Sequence, residues 1–207
     1  MNDSISTSQE SGGVTGSTRR PGRPRSEQAR HAVLMACTEL MQEGGLKAVT
    51  TDRIAARSGV SKATIYKWWP NKHSVAVEAF LSQMYAESPD PDTGSAAEDF
   101  RVAVRGMMRF YASPSGRIFA QLVAEAQSDP KVATELRDRL IPSRRELVRA
   151  IWDRGVERGE LRADIDPEVA IDLFFGPAMY RLVAGHAPLD EAAADVIVEA
   201  ALRGLAL

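Results

Sequence analysis

The stretch GVSKATIYKWWPNK, Gly59 to Lys72, decides how this chain is read, because it sets two adjacent tryptophans among three lysines and a tyrosine. The whole chain has only 3 Trp in 207 residues. Ser61 is a helix-capping residue type and Pro70 a stop, so Lys62 to about Trp68 reads as a short helix. Each residue turns a helix by about 100°. With Ile65 at zero, Trp69 lies at about +40° and Trp68 at about −60°, while Tyr66, Ala63 and Lys67 lie at about 100°, 160° and 200°. Ile65 and Trp69 then share an inner face, with Ile54, Ala55 and Val60 as neighbours. Ala63, Tyr66 and Lys67 point outward. Trp68 stands at the boundary, where its indole N–H either donates to a phosphate or is buried against the next helix.

Working outward, Asp52–Ser58 reads as a second short helix capped by Thr51, with Asp52 favourably placed in its first turn. Gly59 supplies the tight turn between the two. Such a pair is a helix-turn-helix candidate, whose second helix enters a DNA major groove N-terminal residues first. Upstream, Ala29, Val33, Ala36, Leu40 and Met41 recur at helical spacing, between an N-cap at Ser26 and a stop at Gly44-Gly45. Downstream, Asn71 caps a fourth helix running to about Ala86.

After a loop at ESPDPDTGS the pattern is helical throughout. Phe100, Val104, Met107, Met108 and Tyr111 line one helix, and Ile118, Phe119, Leu122 and Val123 the next. Pro130 behind Asp129 and Pro167 behind Asp166 mark helix starts. Pro142 divides Pro130–Leu140 from a long helix near Ser143–Arg158. The last two helices span about Pro167–Gly185 and Asp190–Leu205. No alternating β pattern extends beyond a few residues. The expected fold is all-α, with about nine helices: an N-terminal three-helix unit holding the helix-turn-helix, then a longer all-helical part.

Charge is distributed unevenly. The net charge of −2 conceals 11 Lys+Arg against 4 Asp+Glu between Arg19 and His73, leaving 15 basic and 24 acidic residues elsewhere. A polyanion would be attracted to the first third and repelled by the rest. The segment RRPGRPR interleaves Arg19, Arg20, Arg23 and Arg25 with Pro21, Gly22 and Pro24. It is expected to stay extended, either as a minor-groove arm or as a plain basic linker; its GRPR core resembles the AT-hook. Residues 1 to about 18, rich in Ser, Gly and Thr, read as disordered. With neither a secretory h-region nor a run of about 18 apolar residues, the protein is expected in the cytoplasm without a membrane partner. One cysteine, Cys37, excludes an intramolecular disulfide framework and a cysteine zinc cage, and reads as a small core residue. His31, His73 and His186 are far apart in sequence, and no HExxH motif, nucleophile elbow or phosphate-cradling glycine loop occurs. Neither enzyme activity, cofactor nor metal is expected.

The segment TTDRIAARSGVSKATIYKWWPNKHSV resembles the helix-turn-helix of the TetR family of transcriptional repressors. The family pattern falls on Thr51, Ile54-Ala55, Ser58-Gly59-Val60-Ser61, Thr64-Ile65-Tyr66, Trp69 and Lys72. Ser58 replaces the usual alanine and Trp69 the usual phenylalanine, both conservatively. The resemblance covers about residues 26–86. It implies that Ser61, Lys62, Ala63 and Thr64 meet bases and phosphates, that Tyr66 and Lys67 contact backbone or base edges, and that Lys72 and Thr51 clamp phosphates at helix starts. Trp68, Arg23 and Arg25 complete the expected DNA-binding set. Lys62 or Lys67 can carry base specificity.

The stretches from ASPSGRIFAQLVAEAQSDP to ERGELRADIDPEVAIDLFFGPAMYRLVAGHAPLD resemble the helical regulatory domain of many TetR-type proteins, which binds a small effector and dimerises through its last two helices. Met107, Met108, Tyr111, Phe119, Trp152, Phe175 and Met179 are the candidate effector-binding residues, although any of them can equally be core. Phe174-Phe175, Ala178 and Leu182 alternatively suit a dimer face. The expected division is a basic N-terminal segment at 1–25, a DNA-binding domain at 26–72, and an effector-binding and dimerisation domain at 73–207. The expected partners are double-stranded DNA with a palindromic operator, a small-molecule effector and a second copy of the chain. The competing reading is an architectural DNA binder without effector control.

Overall fold

The computed structural model describes residues 23–87 and 91–205 of the chain, and every regular element among them is helical. In order they are α1 (Arg23–Gly44), a 3-10 turn (Leu46–Ala48), α2 (Thr51–Ser58), α3 (Lys62–Trp68), α4 (Lys72–Glu87), α5 (Ala96–Ala112), α6 (Pro114–Ala126), α7 (Pro130–Glu135), α8 (Ile141–Glu157), α9 (Pro167–Ala184) and α10 (Glu191–Leu205).

Local chemistry accounts for the boundaries. Ser61 accepts a hydrogen bond from the Thr64 N–H, Asp129 from the Lys131 N–H and Asp166 from the Glu168 N–H. The Asn71 carboxamide oxygen takes two orphan donors of α4, from His73 at 2.8 Å and Ser74 at 2.9 Å. Gly59 closes α2 in the left-handed region at φ 70°, where a side chain would strain the backbone.

Three expectations are corrected. The cap of α2 is Thr50, not Thr51: its hydroxyl accepts from the Arg53 N–H at 3.2 Å. The first helix begins at Arg23 rather than after a cap at Ser26, so Arg23 and Arg25 belong to its first turn rather than to an extended arm. Pro24 fits there because first-turn N–H groups have no intrahelical partner to lose. The side chains of Arg23 and Arg25, and all of residues 1–22, lie outside the described residues. Pro142 does not divide two helices. A π-helical turn over Leu136–Leu140 joins α7 to α8, and Pro142 occupies the first turn of α8. The ten α-helices among the described residues agree with an all-α fold of about nine.

In the N-terminal part, α1 packs on both α2 and α4. In the rest, α5 is central, touching α6, α8, α9 and α10. A continuous core runs through both, from Val33 and Ile65 to Phe174 and Val198. Phe80 of α4 stacks on Phe119 of α6 at 5.3 Å, and Phe119 on Tyr111 of α5 at 5.6 Å, so α4 is anchored in the body as well as the head. Cys37 is buried within α1, and burial pushes its thiol up to about 12.

Candidate nucleic-acid interface and regulatory cavity

The helix α3 sorts its residues as the wheel demands. Ile65 and Trp69 are buried; Ser61, Lys62, Ala63, Tyr66 and Lys67 are exposed; Thr64 and Trp68 are half-buried. The Trp68 ring meets Trp69 edge-on, centroids 5.6 Å apart, and packs on the core margin. Tyr66 donates its hydroxyl hydrogen to Thr51 Oγ1 at 3.3 Å, tying the middle of α3 to the start of α2. Ser61 and Thr64 bond through their hydroxyls at 2.9 Å. Lys62 reaches Asp52 at 2.7 Å, and that hydrogen bond raises the lysine pKa. Lys72 is half-buried at the first residue of α4. One side of the head therefore gathers Thr51, Ser61, Lys62, Ala63, Tyr66 and Lys67, on and beside a helix N-terminus that favours anions.

The head is bolted to the body through Glu78 of α4. Its Oε1 accepts from Arg30 Nε and Nη2 of α1 at 3.0 and 2.7 Å. Its Oε2 accepts from Trp69 Nε1 at 2.8 Å and from Arg139 Nη2 of the π turn at 2.8 Å. The Arg30 guanidinium also lies 5.5 Å from the Trp69 ring centroid, within cation–π range. Burial pushes the Glu78 carboxyl up, but hydrogen bonds from Arg139, Trp69 and Arg30 outweigh it and leave the pKa below the usual 4.5. Ser74 Oγ donates to Glu135 at 2.5 Å, and Gln121 Oε1 of α6 accepts the Leu46 N–H at 2.8 Å. The sequence reading missed all of these. A single carboxylate inside the apolar run SVAVEAFL, Ser74–Leu81, was the available signal for Glu78.

A cavity of about 200 Å³ opens where α5, α6, α8 and α9 meet, and it is largely apolar. Of the seven expected effector residues, Tyr111, Phe119, Phe175 and Met179 line it. Met107, Met108 and Trp152 do not: the first two are core residues of α5, and Trp152 borders a separate recess beside Ile165 and Pro167. Leu140, Ile141 and Val148 complete the apolar wall, while Arg145 and Asp172 add a polar edge that the sequence reading did not single out. Those two are ion-paired at 2.7 Å, and Arg145 also bonds Glu168.

The alternative reading of Phe174 and Ala178 as a dimer face does not fit their burial. Phe174 and Ala178 are fully buried, and Phe174 stacks on Phe100 with centroids 3.8 Å apart. The apolar side chains of α9 that reach the surface are Val169, Leu173, Tyr180 and Val183, spaced as one helical stripe, with Val196 exposed on α10. No helix among the described residues is long and apolar enough to cross a membrane.

Comparison with known proteins agrees with this geometry. Residues 33–79 match the family of bacterial regulatory proteins, tetR family, and residues 90–201 match the tetracyclin repressor-like C-terminal domain. YdeS of Bacillus subtilis strain 168, described as an uncharacterized HTH-type transcriptional regulator, is 42% identical over 180 residues, covering 86% of this chain and 91% of that protein. The DNA-binding transcriptional repressor TetR of Mycobacteroides abscessus is 29% identical over 171 residues, covering 81% of this chain and 88% of that protein. The crystal structure of the TetR family transcription regulator SCO0332 superposes with a TM-score of 0.78 at 32% identity, over 87% of this chain and 100% of that one. An amphipathic α3 with a basic outer face, set on a helical body that holds a cavity, is thus the frame of a DNA-binding transcription regulator and not of an enzyme, and the chain belongs to the TetR family.

Proposed function

We propose that this regulator is a homodimeric repressor that releases a palindromic operator when a small, mainly apolar effector fills the cavity beside Tyr111 and Phe119. Residues 26–72 form the reading head and residues 73–207 the effector-binding and dimerisation part. Lys62, Ala63 and Thr64 lead α3 into the major groove, with Tyr66 and Lys67 on backbone or base edges. Thr51 and Lys72 hold phosphates at the starts of α2 and α4, Trp68 stands at the rim of the contact, and Arg23 and Arg25 reach the flanking backbone.

The observation that carries the effector part is adjacency. Phe119 and Leu140 are cavity walls. Two residues beyond Phe119 is Gln121, which holds Leu46; immediately before Leu140 is Arg139, which holds Glu78. A ligand that displaces either wall strains a bond between body and head, and the pair of heads leaves half-site register. The exposed apolar stripe along α9, with Val196 also exposed on α10, supports pairing through the last two helices, because large exposed apolar surface marks an association site.

Selecting bound DNA from a random library with the full chain tests this. The expected product is a two-fold symmetric motif whose half-sites lie about one helical turn, or a multiple of it, apart. Binding that enriches no motif and falls uniformly with salt would instead support an architectural DNA binder.

A further inference from the structure

His73 lies one residue beyond Lys72, in the first turn of α4, and its side chain faces the corner between α6 and α7 rather than solvent. The residue is 7% exposed. A buried imidazole carries either one donor and one acceptor or two donors, yet neither Nδ1 nor Nε2 of His73 has a hydrogen-bond partner. Two carboxylates stand before it. The Asp129 N–H donates to the Glu125 carbonyl at 2.9 Å, so the chain leaving α6 keeps one more helical turn and stacks both acids on the same side. Asp129 Oδ1 caps α7 by accepting the Lys131 N–H at 2.8 Å. Its Oδ2 lies 3.6 Å from His73 Nδ1, too far for a hydrogen bond. One ligand atom from each of His73, Glu125 and Asp129 falls within 4.8 Å of the others. The neighbouring Glu135 is already occupied by Ser74 and Arg139.

We propose that His73, Glu125 and Asp129 form a site for one divalent first-row transition cation, of the Zn2+ class, which cross-links the start of α4 to the α6–α7 corner. One imidazole and two carboxylates are a borderline nitrogen–oxygen donor set that suits Zn2+ or Mn2+ rather than a soft thiophilic ion. Bonds of about 2.1 Å place tetrahedral donors about 3.4 Å apart. The His73–Asp129 separation already approaches that, and Glu125, which is exposed, swings to close the rest. The fourth position stays open to water. The ion would connect the residue after the expected phosphate clamp Lys72 to the helix that carries Phe119 and Gln121. The three ligands escape a motif search because His73 is remote in sequence from both acids. The site does not depend on the operator or effector reading.

The test uses the full, tag-free chain stripped with a chelator, titrated with Zn2+ by calorimetry and with Co2+ by visible absorption. The expected result is one saturable ion per chain, a tetrahedral Co2+ spectrum and a melting temperature raised by Zn2+. Glu125→Gln and Asp129→Asn should each weaken binding about tenfold or more. Neither threatens the fold, because Glu125 is exposed and asparagine retains the cap acceptor of α7. Absence of saturable binding of Zn2+, Co2+ and Mn2+ would overturn the proposal, and so would one-to-one binding that both variants keep unchanged.

Discussion

Two pairs of adjacent aromatics, Trp68-Trp69 in the head and Phe174-Phe175 in the body, meet the core in the same way: one ring of each pair is buried and its neighbour half-buried. Their legibility differs. Around α3 the lysines and Tyr66 mark an outer side, so the wheel has a wet reference and puts Trp69 inside. In α9 apolar residues occupy nearly every direction, and a helix apolar all round does not declare its faces. Phe174 and Ala178 therefore read equally as core or as a dimer surface, whereas both are buried, Phe174 stacks on Phe100 of α5, and the exposed stripe runs through Leu173 and Tyr180 instead. Periodicity tells inside from outside only where one side is polar.

Truncating both pairs gives the sharpest test of this contrast and the largest expected effects. Trp69→Ala and Phe174→Ala should each cost about 3–5 kcal/mol, the usual penalty for emptying an aromatic core site. Trp69→Ala additionally removes one of the two donors to Glu78 Oε2, leaving Arg139 as the other. Trp68→Ala and Phe175→Ala should cost distinctly less, with Trp68→Ala weakening DNA binding and Phe175→Ala altering the cavity. Denaturant midpoints measure the difference. Equal drops within a pair would show that both of its rings are core, and in the tryptophan pair would remove Trp68 from the interface.

Next in size is the bolt between the two regions. Glu78→Gln keeps an acceptor for the Trp69 indole but removes the charge facing Arg30 and Arg139, and should cost about 1–3 kcal/mol at neutral pH. The native Glu78 carboxyl titrates below its usual 4.5. Such a group contributes fully above the unfolded value, and its contribution is lost as pH falls through the native one. The gap between wild type and Glu78→Gln is therefore widest near neutrality and narrows below about pH 5. Midpoints at pH 7 and at about pH 4 check this; a gap of constant width would mean that shape rather than charge makes the contribution.

The same contrast explains what the sequence could reveal of the site. Ser61, Asn71, Asp129 and Asp166 act on backbone groups two or three residues away, so the boundaries they set are written locally. Thr50 was missed because Thr51 beside it is an equal candidate, and only backbone geometry separates the two. Whether Met107 or Met179 lines the cavity depends on which helices meet there, and no pattern within one helix carries that. Glu78, Arg139 and Gln121 join elements dozens of residues apart and leave no periodic trace. The proline rule failed at Pro24 because a first-turn proline starts a helix as readily as an interior one breaks it, and at Pro142 because the π turn before it carries the helical run through.

Within the head, α3 itself should separate binding from folding. Lys67→Ala and Lys62→Ala should leave the thermal midpoint unchanged, since both side chains are exposed. Each should weaken operator binding roughly ten- to a hundredfold if it reads a guanine, with the loss confined to one base position. A loss spread evenly over all sequences identifies a phosphate contact instead. Operator affinity unaltered in both variants would exclude α3 from the interface.

The smallest effect, and the finest division between the two lysines, lies with Asp52. It holds Lys62 at 2.7 Å across the α2–α3 turn, with both side chains more than half exposed. An exposed pair of this kind adds little to stability, so Asp52→Asn should barely shift the thermal midpoint. On DNA the carboxylate acts twice: it occupies Lys62, and it repels the phosphates. Removing it should tighten operator binding by no more than about fivefold at low salt, and the gain should fade as added salt screens the charge. In a Lys62→Ala background the part due to releasing the lysine should vanish while the repulsive part persists. Affinity that falls on Asp52→Asn would carry the opposite lesson, that the carboxylate positions Lys62 for the groove. Titrating the four proteins against one operator at two salt concentrations decides between these outcomes.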